Sequence, residues 1–321
     1  MNHTRKTSYH HLFRTLILLG FSSYIVVLTK SDSLQLYIAP RMMIYVKIAS
    51  VVLYIIACFQ GFMALRSYWG RSVDCDCHQP APRSFLRNFI AYGLLVLPLM
   101  IGFLLPDTAL NSTMVAAKGI NLSAATTTMT TPRSESYNLP SFPKPATSSQ
   151  TLRASQAEAE QTAQSDTDIE QLFKSPDEWN EDFAKMGVIL YKKDRILVQP
   201  DIYMEILSTI DLFKDNFIGK EIELTGFVYR EEDKMRRNQF VVGRFAVSCC
   251  SADASPYGVL VEFPTAPNYS QDMWVKVTGT IQNGQYNGND IFKIEATKIE
   301  KIEAPSSPYV YPNFEPLTIL K

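Results

Sequence analysis

Two clusters of sulfur are the residues of this chain best equipped to do chemistry. Cys75-Asp76-Cys77-His78 places two thiols and an imidazole within four residues. Thiolate and imidazole donors suit Zn²⁺ or Cu⁺, so Cys75, Cys77 and His78 form a candidate zinc or copper set. His10 and His11, just before the first apolar stretch, would sit at the same membrane face and could complete a tetrahedral shell. The plainer reading is a polar loop with two free thiols. The second cluster is Cys249-Cys250, with Asp253 just downstream and Arg244 just upstream. Adjacent residues on a regular strand point to opposite faces, so these sulfurs can act together only where the chain bends or bulges. Three readings stay open: a strained vicinal disulfide, a thiolate site with Asp253, or one cysteine in the core and the other at a barrel mouth. Free cysteine often behaves as a small buried hydrophobe, which favours the third. Arg244 falls mid-strand, where a charge must be exposed or paired. A guanidinium fork on Asp253 or Glu262 would lock the local geometry, and that structural role outweighs ligand binding.

Other chemistry finds little footing. All four histidines lie at positions 3, 10, 11 and 78, so no Ser-His or Cys-His nucleophile pair exists in the C-terminal half. There is no glycine-rich phosphate loop, no H-E-x-x-H and no dinucleotide fingerprint. The chain reads as non-enzymatic. From Asp168 onward 17 Lys+Arg face 24 Asp+Glu, and that acidic balance argues against nucleic acid, which needs a basic footprint. Five cysteines, Cys58 included, are too few and too oddly placed for a disulfide framework.

The elements that carry these residues differ sharply in composition. Apolar stretches at 15–28, 42–63 and 85–105 each approach the ~20 residues a helix needs to cross a bilayer. Two further stretches follow the first, so it reads as an uncleaved helix rather than a signal peptide. Arg5, Lys6 and Arg14 precede the first stretch, and Arg66, Arg71, Arg83 and Arg87 fill the loop after the second. The loop between the first two carries only Lys30 and Arg41. Retention of positive charge in the cytoplasm then places the N-terminus inside and the C-terminal domain outside a multi-pass cell-membrane protein in contact with lipid. Lys47 lies near a helix end, where it can snorkel.

The expected domains are a three-helix membrane part at 1–110, a tether at 111–167, and a soluble domain at 168–321. Residues 121–167 are rich in Ser, Thr, Ala, Gln and Pro and cannot bury enough apolar surface to offset ordering entropy. A helical lead-in occupies 168–215. Ser175-Pro176-Asp177-Glu178 opens a helix with Trp179, Phe183 and Met186 on its stripe, Ile196-Leu197-Val198 is a short strand, and Pro200 opens a second helix bearing Tyr203, Ile206, Ile210 and Phe213. From Gly219 the period becomes two, with strands from Glu221, at 240–247, 257–263, 274–281 and 291–302. Turns are expected at Asn283-Gly284 and at 287–290. Five such strands fit a small OB-like β-barrel over 219–305. The fold class is thus a membrane α-helical N-terminal part plus an extracytoplasmic α+β domain.

Several segments carry a family likeness. They are "YIAPRMM" before the second apolar stretch, "LPLMIGFLLP" followed by "AAKGI", "GKEIELTGFVYRE", "VVGRFAVSCCSADASPYGVLVE", "WVKVTGTI" and "PSSPYVYP". Together they resemble the YcgQ-type family of bacterial membrane proteins, described as one subunit of a proposed two-component permease. The resemblance implies an accessory subunit whose partner is a separate polytopic permease. The inner loop of similar proteins is often His-rich, and its reduction here to Cys75-Asp76-Cys77-His78 weakens transfer of a histidine-based metal role. The expected function is that of a non-enzymatic permease subunit whose outer barrel binds solute or gates the permease. The alternatives are a zinc- or copper-handling membrane protein and, further behind, an extracytoplasmic thiol–disulfide protein centred on Cys249 and Cys250.

Overall fold

The computed structural model describes residues 2–69, 85–122, 169–175, 177, 180–231 and 233–320. They divide into two units: Met1–Leu110 with Val247–Ala254 and Pro305–Tyr309, and Asn111–Ala246 with Ser255–Ala304 and Val310–Lys321. The loop 247–254 therefore groups with the helices, although the sheet's strands flank it in the chain.

The first unit is built on α1 (Asn2–Lys30), α2 (Pro40–Tyr68) and α3 (Phe85–Leu104). Ser22 Oγ donates to the Ser50 carbonyl at 3.0 Å and Ser50 Oγ to the Ser22 carbonyl at 3.2 Å. Near the other end, His11 Nδ1 lies 3.0 Å from Gln60 Oε1. Low residues of α1 thus meet high residues of α2, so the pair is antiparallel. Small residues at such a seam let two backbones come close where apolar burial gives no drive. Against α3 the order is the reverse: Phe13 packs edge-on to Tyr92 and Tyr24 to Phe103, so α1 and α3 run the same way. Gly102 makes room for that contact, since a Cβ there would stand 2.8 Å from the Tyr24 ring.

Among the described residues, two segments are long and apolar enough to cross a membrane: His11–Lys30 and Pro40–Arg66, of 20 and 27 residues. Within the described residues, α3 also carries a shorter apolar stretch, Ile90–Leu104. Three spans were expected, and two meet the length and composition test. On α2 the side chains of Ile44, Ile48, Val51, Ile55, Phe59 and Phe62 are all exposed.

The second unit is a mixed sheet with short helices. Its elements are α4 (Ser112–Lys118), α5 (Glu181–Tyr191), β1 (Arg195–Leu197), α6 (Tyr203–Leu212), α7 (Lys214–Phe217), β2 (Glu221–Tyr229), β3 (Gln239–Ala246), β4 (Ser255–Glu262), β5 (Trp274–Tyr286), β6 (Asn289–Lys301), β7 (Tyr309–Val310) and α8 (Pro316–Ile319). The sheet order is β1-β2-β5-β6-β4-β3-β7, and β2 pairs with β3 as well. The pairings β2–β3, β3–β4, β4–β6, β6–β5 and β5–β2 therefore return to their starting strand, with β4–β6 the one parallel step in that circuit. Alternation sends Ile222, Leu224 and Val228 of β2 and Val275, Val277 and Ile281 of β5 into one core with Ile206 and Ile210 of α6. Close approach of β2 to β3 requires Gly226, where a Cβ would lie 2.5 Å from the Gly243 carbonyl oxygen.

Two departures from the expected elements have physical causes. Asn283-Gly284 is not a turn: β5 runs through it to Tyr286, and the reversal falls at Asn287-Gly288, where φ is 51° and 80°. Two consecutive positive φ values are what a tight hairpin needs, and Asn-Gly supplies them at little steric cost. Residues 111–122, read from sequence as the start of the tether, are ordered. Asn111 caps α4 through Thr113 N, and Ser112 donates from both N and Oγ to the Asp272 carboxylate at 2.7 Å. Asn121 then bonds Pro256 and Gly258 along β4. Of the helix start expected at Ser175-Pro176-Asp177-Glu178, Pro176 and Glu178 lie outside the described residues; Asp177 Oδ1 accepts from Asn180 N, and α5 runs from Glu181.

Candidate functional site

The loop 247–254 begins where β3 ends at Ala246, and its two ends, Val247 and Ala254, are buried. Between them the chain turns through Ser248-Cys249-Cys250 into a 3-10 turn at Ser251–Asp253. Asp253 folds back and gathers the loop. Its Oδ1 accepts from Ser248 N at 2.8 Å, and its Oδ2 from Cys249 N at 2.6 Å and Cys250 N at 3.3 Å. Three successive amides aimed at one carboxylate form an anion-holding concavity of the kind backbone nests make. Because the chain curls here, the two thiols face one another, Sγ to Sγ 3.6 Å. The two sulfurs and an Asp253 oxygen lie within 4.8 Å of one another, with Cys249 exposed and Cys250 half-buried. Neither sulfur enters a core, because the pair lies beyond the strand whose alternation would have put one there.

Hydrogen bonds set the protonation of this loop. Burial alone would raise the Asp253 carboxyl, but the Cys249 thiol and the three amides outweigh it and hold the group below its usual range. The Cys249 thiol is pushed up to about 11, first by its hydrogen bond to Asp253 and then by Cys250, since a thiolate there would face a carboxylate.

A second segment of the same unit holds the loop. Ala39 precedes Pro40, and a residue before proline is driven toward extended geometry, so the chain leaves the 3-10 turn at Ser33–Leu36 and straightens just ahead of α2. Ile38 bridges Cys250 in antiparallel fashion: Ala39 N donates to the Cys249 carbonyl at 3.0 Å and Ser251 N to the Tyr37 carbonyl at 2.8 Å. Arg41 then clamps the Ser248 carbonyl through Nε and Nη2, at 3.1 and 2.7 Å. Tyr37 itself is fixed by its hydroxyl donating to Asp107 Oδ1 at 2.6 Å. The segment Tyr37-Ile38-Ala39-Pro40-Arg41 was not singled out as part of the site. Its Ala-Pro step, which leaves an extended backbone with an unused edge, was the available signal.

Arg244 corrects an expectation. Neither Asp253 nor Glu262 receives it, because the amides take Asp253, while Glu262 binds Lys293 and Asn238. The side chain is 2% exposed, with its guanidinium carbon 5.2 Å from the Trp274 ring centroid and Nε and Nη1 unbonded. Tyr203 lies nearby, its buried hydroxyl also without a partner. Cys75, Cys77 and His78 lie outside the described residues. His11 is engaged with Gln60. Lys47, in the N-terminal part of α2, lines a small depression with Thr29, Asp32 and Gln35. The second unit also carries an open polar cleft of about 690 Å³, lined among others by Lys214, Asp215, Lys234, Arg236, Asp290 and Lys293.

These features define a class: an apolar helical unit with a cysteine-bearing loop, and a mixed-sheet unit. The chain belongs to the DUF1980 family, the YcgQ type, matching the DUF1980 N-terminal domain at residues 13–121 and the DUF1980 C-terminal domain at 174–312. It is 25% identical over 315 residues to UPF0703 protein YcgQ of Bacillus subtilis (strain 168), covering 94% of this chain and 100% of that one. It is 27% identical over 305 residues to a Streptococcus mutans protein whose name proposes it as a two-component membrane permease complex subunit, covering 94% and 99%.

Proposed function

We propose that this chain is the accessory, non-enzymatic subunit of a two-component permease in the cell membrane, docking by its helices on a polytopic partner. The observation that carries the reading is the similarity, over nearly the whole chain, to the Streptococcus mutans relative bearing that name. The helices support it. A row of exposed Ile, Val and Phe along α2 would be an outsized apolar patch in water and is at home against lipid or a partner helix. In this reading α3 crosses as a third span, which suits its running parallel to α1 and antiparallel to α2. Three helices are too few to enclose a pathway, so conduction belongs to the partner. The N-terminus is cytoplasmic and the sheet unit outside. The circuit of five strand pairings supports an OB-like barrel, and the polar cleft offers it a place to receive solute or to gate access.

The test is purification of the full chain from its native membrane in mild detergent, followed by identification of what accompanies it. A stoichiometric polytopic membrane protein is expected. Recovery of the chain alone, after crosslinking in intact cells, overturns the proposal.

A further inference from the structure

We infer that Cys249, Cys250 and Asp253 form a binding site for a single thiophilic divalent cation, zinc in the first instance, held on the loop that the 37–41 segment braces. The inference stands on the loop's geometry and is independent of the permease reading.

The separation of the sulfurs selects the ion. Two thiolates on a tetrahedral zinc at the usual ~2.3 Å stand about 3.8 Å apart. The thiols here stand 3.6 Å apart, close to that separation. A linear two-coordinate ion with bonds of ~2.3 Å would need the sulfurs roughly 4.6 Å apart, which disfavours Cu⁺ at this pair. The third donor is in place, since an Asp253 oxygen lies within 4.8 Å of both sulfurs. Three hydrogen bonds already orient that carboxylate, the role that supporting contacts play around a metal ligand. Two sulfurs and one oxygen leave a tetrahedral ion one open position, the pattern of sites that exchange a ligand rather than of closed structural sites.

Backbone hydrogen bonds hold the loop in place. Its backbone is pinned at Cys249, Cys250 and Ser251 by the bridge to Ile38, and at Ser248 by Arg41. Sulfur geometry is therefore not left to chance rotation of an open loop. Binding exchanges the two thiol protons for one dication, and both protons pass to solvent.

The experiment uses the full chain in detergent under a phosphine reductant, in a C75S/C77S/H78A background that removes the other sulfur cluster. Buffered Zn²⁺ is titrated and bound metal counted by elemental analysis, and Co²⁺ is added as a spectroscopic stand-in. One zinc per chain is expected, with Co²⁺ showing thiolate charge transfer and the visible bands of tetrahedral coordination. D253N should weaken zinc binding by at least ~tenfold, since losing a donor should cost no less than losing an outer partner of one. C249S/C250S should abolish stoichiometric binding. Zinc retained in C249S/C250S overturns the proposal. So does an unmutated loop that gives Co²⁺ no thiolate charge transfer, a result that does not depend on any loop variant folding.

Discussion

Asp253 and Arg244 are near neighbours in sequence, on either side of the turn after β3, yet their charges are met in opposite ways. Asp253 lies at the surface, and three backbone amides converge on its carboxylate. Arg244 is buried, faces the Trp274 ring, and leaves Nε and Nη1 without acceptors. The first charge organises a loop at little desolvation cost. The second resides in a core that must tolerate it, with an aromatic face in place of a counter-ion. The lesson is that a charged residue beside a turn shapes local backbone, whereas a few residues earlier, inside a strand, the ladder already engages the carbonyls a cation would need.

The largest effect should come from attacking the sheet that encloses Arg244. G226A forces a Cβ against the Gly243 carbonyl where β2 meets β3, and a loss of about 3 kcal/mol is expected in denaturant unfolding followed by tryptophan fluorescence. Near-neutral behaviour would mean that β2 and β3 are not closely paired. Next, R244M keeps the stem and removes the charge, and should raise stability by about 1–2 kcal/mol, as replacing buried charges with apolar groups often does. A clear loss in R244M would show that the guanidinium has a partner in solution. D253A should cost about 1 kcal/mol, the scale of a lost cap, and accelerate amide exchange at Ser248, Cys249 and Cys250 above all. Unchanged exchange there would break the contrast at its other end.

The smallest effect concerns a second buried charge of the sheet unit. Glu205 is 8% exposed; its Oε1 accepts from Asn313 N, while Oε2 has no partner, and burial raises its pKa. A carboxyl raised on folding supports the fold in its protonated form. That support is complete below the unfolded value of ~4.3 and is lost as pH rises through the folded one. E205Q should therefore be more stable than the parent at pH 7, by under ~1 kcal/mol, with the gap closing toward pH ~4. Thermal unfolding at the two pH values decides it, and a gap that widens in acid would contradict the sign.

Much of this was legible in the residues. Alternation placed β2 to β6 within a few positions, because one face of each strand must be apolar. Pro200 correctly announced a helical start, seen as a 3-10 turn at Pro200–Ile202 running into α6. Asn283-Gly284 misled because the dipeptide suits a hairpin wherever it stands, and only pairing with Phe292 and Ile291 shows it inside β5. The proximity of the two sulfurs was beyond a strand-based argument, since it depends on Asp253 curling the chain after β3 has ended. The bracing by residues 37–41 joins segments some two hundred positions apart, which no local pattern encodes.

That bracing is the centre of the account, and a crosslink tests it directly. Ile38 and Cys250 form a non-hydrogen-bonded antiparallel pair, a type with Cα atoms ~4.5 Å apart and within the range a disulfide spans. In a C58S/C75S/C77S/C249S background, I38C should join Cys250 readily under mild oxidation in membranes, seen as a mass loss of two hydrogens and a linked peptide, while Q35C should not. Equal or absent linkage of the two would show that the cysteine loop does not rest on the segment before α2.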